Sequence, residues 1–475
     1  MTENIAWMSA TELAEHVRRR ELSARDIATA MIEQVERVNP DVNALVYWNP
    51  ETVLADAAQL DEKQAQDGVV GPLHGVPYTI KDLTAVRGIP LTLGVKALKD
   101  HVPDFDAPIV ERLRDSGGLF LGKTNTPEAG YCGKTDNHLF GVTRNPWNLE
   151  MSAGGSSGGA GAAVAAGLGP LAEGSDGGGS IRVPAAFNGI VGLKPSLGRI
   201  PSTMLPQRFV TNLFHGPLTR TVADAALMLD VTSGEDSRDP LSLPNPVDSY
   251  LKTLTGDITG WRIAYSPDLG FGDVDPEVAA IVRKAMDAFV EAGAIVEEAT
   301  PSWPNPNDAM WKGVWVPGLA GFGVNFDVES MGSNIDAELV ELIKEGHSVT
   351  ASDIAEAEIT RGRIYDALTK TLGTYKILAS PTTMVATYPH ARFNPERLDG
   401  FPLRDRLLNW SMTHVYNMTT NPAISIPCGF TSDGRPVGLM LAGRLHADGD
   451  VLNAAAAFER VQPWAQLRPP IAVGG

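Results

Sequence analysis

The stretch GSDGGGSIR, Gly174 to Arg182, sets three consecutive glycines between an aspartate and a serine. Glycine loses more conformational freedom on folding than any other residue, so a run of it needs surrounding chain to hold it in place. What the run offers in return is bare backbone N–H directly in front of Ser180. A second glycine–serine cluster, SAGGSSGGAG from Ser152 to Gly161, leads into AGAAVAAGLGPLA, Ala160 to Ala172. That apolar run is too short and too rich in glycine to span a membrane.

The flanking sequence predicts alternating helices and buried strands. Ser9 and Glu12 fit a capping box ahead of Leu13 and Val17. Ile27, Met31, Val35 and Val38 form an apolar stripe expected to end before Pro40. GLFLGK (Gly118–Lys123) and GIVGLK (Gly189–Lys194) read as buried strands. Asp275-Pro276-Glu277 opens a helix that buries Val278, Ile281, Ala285 and Phe289, and Gly293 closes it before the strand-like AIVEE. This alternation predicts an α/β architecture with a largely covered sheet. The polar, Pro-rich segment Ser233–Asp248 reads as a surface excursion rather than a domain break. From Trp303 to Phe326 the chain holds Trp303, Trp311, Trp315, Phe322 and Phe326, which suit either ordinary core or the apolar wall of a substrate pocket.

Charge narrows the partners. Lysine and arginine number 39 against 57 acidic residues, a net charge of −18. So acidic a chain disfavours nucleic acid or an anionic membrane as partner and favours neutral or cationic small molecules. The start of the chain has no basic region followed by an apolar stretch, so the expected location is cytoplasmic. Two cysteines, Cys132 and Cys428, make neither a disulfide scaffold nor a CxxC pair. The histidines are scattered without zinc-ligand spacing, so no metal or cofactor is expected and activity should survive chelation.

The glycine-rich segments lack both G-x-x-x-x-G-K-[ST] and G-x-G-x-x-G, which disfavours a phosphate cradle. Gly154-Gly155-Ser156-Ser157-Gly158 matches the G-x-S-x-G nucleophile elbow, which would need a later histidine such as His390, His414 or His446. None of these lies in a segment that resembles a catalytic loop. A histidine-free scheme fits better: Ser180 as nucleophile, with a neutral lysine whose pKa burial has lowered. In HGVPYTIKDL, Lys81 follows Val76, Tyr78 and Ile80, which would carry its stem into the core. Spacing alone nevertheless favours a plain ion pair between Lys81 and Asp82.

The chain resembles the amidase signature family. The resemblance is carried by GGSSGGAGAAVAAGLGPLAEGSDGGGSIRVPAAFNGIVGLKP (Gly154–Pro195), with GVPYTIKD, LGKTNTPE, FGVTRNPWN, GPLTRTVADAALML and NPAISIPCGF…GRPVGLML around it. It implies a single α/β unit over residues 1–475 with a large mixed central sheet covered by helices on both faces. Its parts would be an N-terminal helical segment (1–70), a catalytic signature core (71–200), a variable substrate-pocket region (201–345) and the C-terminal part of the core (346–475). It implies a Ser–Ser–Lys triad of Lys81, bridging Ser156, held by an unusual cis peptide, and nucleophilic Ser180. The N–H groups of Gly177, Gly178, Gly179 and Ser180 would form the oxyanion hole. Where this chain has Gly177, family members often carry isoleucine or threonine, so a looser loop or a wider pocket is expected here.

The implied reaction is hydrolysis of amide C–N bonds, with esters and aryl carbamates as further substrates and a preference for apolar or aromatic groups. Gly130 and Tyr131, with Trp311 and Trp315, are the expected pocket residues; Cys132 is expected to be a small packing residue. Asp176 and Arg182 are expected to tie down the glycine loop, and Ser157 suits either a hydrogen bond into the site or a turn. A homodimer is common in proteins of this kind. The runner-up is a glutamine-hydrolysing subunit of a tRNA-dependent amidotransferase, for which the Trp-rich segment is a poor match. A catalytically dead binding protein is disfavoured because all three catalytic positions are filled.

Overall fold

The computed structural model describes residues 5–472. Among them run thirteen strands: β1 (Leu45–Tyr47), β2 (Pro77–Lys81), β3 (Leu119–Thr124), β4 (Arg144–Asn145), β5 (Asn148–Ser152), β6 (Leu171–Asp176), β7 (Val191–Lys194), β8 (Phe214–Thr219), β9 (Arg262–Tyr265), β10 (Ile295–Glu298), β11 (Ile377–Pro381), β12 (Ala423–Phe430) and β13 (Pro436–Gly443). Eleven form one mixed sheet in the order β1-β3-β2-β6-β8-β7-β12-β13-β11-β9-β10, while β4 and β5 pair separately.

Alternate residues of the same strand enter two different cores. Ile377 and Ala379 of β11, with Leu439 and Leu441 of β13, join a core built with the helices Ala24–Val42, Val222–Thr232, Pro276–Glu291 and Asp448–Val461. Leu378, Met440 and Ala442, one residue out of phase, join a second core with the helices Ala337–Ser348 and Ala351–Thr374. Successive strand side chains point to opposite faces. The sheet is therefore covered by helices on both sides, which is why its central strands are wholly buried.

The capping box at Ser9 and Glu12 forms as expected, and Asp275 caps its helix by accepting from the N–H groups of Glu277 and Val278. One boundary differs. The second helix does not stop before Pro40 but runs through it to Val42. Val38 and Val42 are both fully buried, so tertiary packing outweighs the hydrogen bond that proline cannot make. Asn43, at φ 54°, then ends the helix with a left-handed turn.

The aromatic segment is helical: a short helix Asn307–Met310, a π-helical turn Trp311–Trp315, then the helix Val316–Asn325. Trp311 is buried in the second core, and Trp303, Trp315, Phe322 and Phe326 pack partly buried against it. No helix among the described residues is long and apolar enough to cross a membrane.

Candidate active site

Strand pairing decides where the chemistry gathers. β2 and β6 lie side by side and parallel, with Tyr78 opposite Leu171 and Thr79 opposite Ala172. Their carboxyl ends therefore open at the same edge of the sheet, where open α/β sheets commonly bind ligands. β2 ends at Lys81; β6 ends at Asp176 and passes straight into Gly177-Gly178-Gly179-Ser180. Ser156 arrives from the preceding loop, joined to Gly155 by a cis peptide bond, just before the helix Gly158–Ala165.

Lys81 is fully buried, and its Nζ lies 2.7 Å from Ser156 Oγ and 3.0 Å from Ser175 Oγ. Burial pulls its pKa down to about 7, against the opposing charges of Glu173 and Asp176. The ion pair with Asp82 that spacing favoured does not form. Asp82 instead lies 3.1 Å from the Nζ of Lys123, a second fully buried lysine on the neighbouring strand β3. Sequence adjacency misled because Lys81 ends its strand and Asp82 begins the next turn, accepting also from the N–H and hydroxyl of Thr92.

The glycine loop is anchored by one carboxylate. Asp176 accepts from Gly179 N–H (2.7 Å), Ile181 N–H (3.2 Å), Arg182 Nε and Nη2 (both 2.9 Å) and Asn417 Nδ2 (2.8 Å). Burial alone would raise its pKa, but the charge and hydrogen bonds of Arg182, with that of Asn417, hold it at about 2. Thr413 braces the loop from outside, its hydroxyl donating to the Gly178 carbonyl at 2.6 Å. Ser157 stitches the two serine segments together: its N–H donates to the Ser180 carbonyl at 3.2 Å and its hydroxyl to the Ser175 carbonyl at 3.2 Å.

Gly179 must be glycine. It sits at φ +133°, and a Cβ there would lie 1.9 Å from Thr413 Oγ1. Its N–H is committed to Asp176, which changes the expected oxyanion hole. The donors left free of any acceptor among the described residues are the N–H groups of Gly177, Gly178 and Ser180.

Of the expected pocket residues, Gly130 comes closest to the chemistry: a Cβ on it would lie 3.4 Å from Ser156 Oγ. Tyr131 is buried next to it, its ring stacked 6.3 Å from that of Phe393. Trp315 stands over the glycine loop, its Cζ3 3.7 Å from where a Gly177 Cβ would sit and 3.3 Å from a Gly178 Cβ. Leu213 and Met310 share that wall. Trp311 does not face the loop; it turns into the second core, with its indole N–H on Glu345 Oε1 at 2.5 Å.

Cys132 is buried and its thiol is pushed up to about 12 by burial, as suits packing. Among the described residues, no histidine hydrogen-bonds Ser156 or Ser180. His414, buried beside the loop, places Nε2 2.9 Å from Asn307 Oδ1, and burial with the nearby Arg182 charge pushes its pKa down to about 3. Glu128, His138 and Asp336 also converge, each offering an atom within 4.8 Å of the others. They satisfy one another: Glu128 meets His138 Nδ1 at 2.7 Å and accepts from the Asp336 N–H at 2.7 Å. The trio ties Asp336, just before the helix Ala337–Ser348, to the loop carrying Gly130 and Tyr131.

A family model described as Amidase matches residues 26–452. This chain belongs to the amidase family. It is 53% identical, over 99% of its length and 98% of the relative's, to an acylamidase of Rhodococcus erythropolis. It is 36% identical to a glutamyl-tRNA(Gln) amidotransferase subunit of Moorella thermoacetica, over 98% of this chain and 99% of that one. Among solved structures, it resembles a bacterial aryl acylamidase of the amidase signature family with TM-score 0.92 and 34% identity, covering 99% of both chains. It resembles a 6-aminohexanoate cyclic dimer hydrolase with TM-score 0.87 and 30% identity, covering 98% of this chain and 99% of that chain. The amidase is thus an enzyme of amide hydrolysis on a large mixed sheet, as the sequence implied.

Proposed function

We propose that the amidase cleaves amides bearing apolar or aromatic groups through an acyl-enzyme on Ser180, with Lys81 as base and Ser156 as bridge. The observation that carries this is the 2.7 Å contact between Ser156 Oγ and a fully buried lysine amine. Such an amine is neutral over much of the physiological range and can accept a proton.

Ser180 Oγ attacks the substrate carbonyl carbon while its proton passes to Ser156, whose own proton passes to Lys81 Nζ. A C–O bond forms and the carbonyl π electrons move onto oxygen, where the N–H groups of Gly177, Gly178 and Ser180 hold them. Collapse breaks the C–N bond, and the departing nitrogen takes a proton from Ser156, which Lys81 replaces. Water then repeats the cycle on the acyl-enzyme, releasing the acid and restoring Ser180. An ester or an aryl carbamate presents the same carbonyl and enters the same cycle. The wall of Trp315, Leu213 and Met310 over the loop supports an apolar substrate, as does the similarity to the acylamidase and the aryl acylamidase.

The test is peptide mapping after a fluorophosphonate probe, alongside turnover of a panel of N-acyl anilides and small polar amides by the chain alone. A label on Ser180 that is lost in Lys81→Ala, with anilide turnover, is expected. A label on Ser156 would move the nucleophile to the elbow-like segment. Turnover of small polar amides alone would remove the apolar preference. An inactive, unlabelled chain would favour the amidotransferase reading, to which the 36% identical relative lends some weight.

A further inference from the structure

Directly behind the catalytic lysine lies a buried pair of titratable groups that the reaction itself does not use. Glu173 sits in the middle of β6, three residues before Asp176, and is fully buried. Glu173 and Ser175, two apart on one strand, face the same side, and Ser175 is the residue whose hydroxyl meets Lys81 Nζ. The Glu173 carboxylate accepts from the Lys81 backbone N–H at 2.9 Å and from the Thr84 hydroxyl at 3.0 Å. Its remaining partner is His215 on β8, with Nδ1 2.7 Å from Oε1. His215 lies opposite Ser175 in the register of β6 and β8, so the pair is fixed by the sheet itself. No side-chain hydrogen bond joins Glu173 to Lys81 Nζ; the carboxylate acts on the amine through its charge, which opposes the effect of burial.

His215 is as buried as its partner, and its Nε2 meets no acceptor or donor among the described residues. His215 is one of the residues around a shallow surface recess, whose rim carries the exposed Leu205, Gln207 and Arg208. Other charged groups packed around the pair are Lys123 with Asp82, Asp176 with Arg182, and Lys194 on β7; Arg208 and Asp239 face the recess. Asp82 and Asp176 each hold a cation of their own, which leaves His215 as the hydrogen-bonded partner of Glu173.

We propose that Glu173 and His215 are positioning residues for Lys81: the Glu173 carboxylate, held in place by His215, biases the catalytic amine toward its protonated form. This rests on the reading of Lys81 as the base. A bare carboxylate behind the amine stabilises the ammonium form; a ring N–H donated to that carboxylate offsets part of its charge.

The experiment is the pH profile of kcat/KM for one anilide in the parent enzyme, Glu173→Gln and His215→Asn, with thermal unfolding of each and Lys81→Ala as control. Glutamine keeps an acceptor for the Lys81 N–H but removes the charge, so the acid limb should move down by about one pH unit. His215→Asn leaves the charge without its offset, so the limb should move up. Limbs that coincide with the parent's in both variants would overturn the proposal while a dead Lys81→Ala still upholds Lys81 as base. An active Lys81→Ala would overturn the base reading and the proposal with it. If Glu173→Gln does not fold, the direction of the His215→Asn shift decides: a downward or absent shift refutes the pair.

Discussion

Replacing Asp176 with asparagine tests whether one carboxylate holds the glycine loop that carries Ser180. The side chain keeps its shape, but five donors converge on it from Gly179, Ile181, Arg182 and Asn417. An amide offers one oxygen and turns an NH2 toward donors on its other side. The guanidinium of Arg182, fully buried, loses its counter-charge. Breaking a buried pair on one side typically destabilises by about 3–5 kcal/mol, a large part of the roughly 5–15 kcal/mol that keeps a domain folded. The pKa gives an independent figure. Held at about 2 against an ordinary value of 3.8, Asp176 contributes about 2 kcal/mol at neutral pH. Its folded pKa is the lower one, so this stability is complete above the unfolded value and fades as pH falls through it toward about 2. Release of the Gly179 and Ile181 N–H groups also frees the loop that would present the Gly177, Gly178 and Ser180 N–H groups, and displacing one such donor should lower kcat about 100- to 1,000-fold. Urea unfolding and anilide kinetics should show both losses together. A variant within about twofold of the parent in kcat, with an unchanged urea midpoint, would refute the claim that Asp176 organises the loop.

Two further outcomes follow from the geometry. With Lys81 pulled down to about 7 by burial, kcat/KM should rise about tenfold per unit up to roughly that pH and then level off; a flat profile between about pH 6 and 10 with chemistry rate-limiting would exclude Lys81 as base. Gly177→Ile starts with a Cβ in ordinary contact with Leu213 and Trp315, but its branches reach into Trp315, so kcat/KM for an anilide should fall about 10- to 100-fold relative to a small aliphatic amide. An unchanged ratio would mean that Trp315 does not wall the substrate.

Much of this protein is readable along the chain, because the signals involved are local. The capping box at Ser9, the Asp275 cap and the runs that became β3 and β7 each depend on residues a few positions apart. The glycines before Ser180 mark a loop that needs bare backbone, and Gly179, with a Cβ site 1.9 Å from Thr413, shows why in atomic terms. What the sequence could not determine is which residues meet across long stretches of chain. Asp82 follows Lys81 yet pairs with Lys123 from another strand. Gly179 looks like an oxyanion donor until Asp176 is seen to take its N–H. Glu173 and His215 lie 42 residues apart and meet only because β6 and β8 pair in one register. The buried run LAEGSD carries two charges, Glu173 and Asp176, and nothing in it says which partners they meet. Burial, charge balance and hydrogen-bond direction belong to the assembled sheet, so only the tertiary structure decided how Lys81 is tuned.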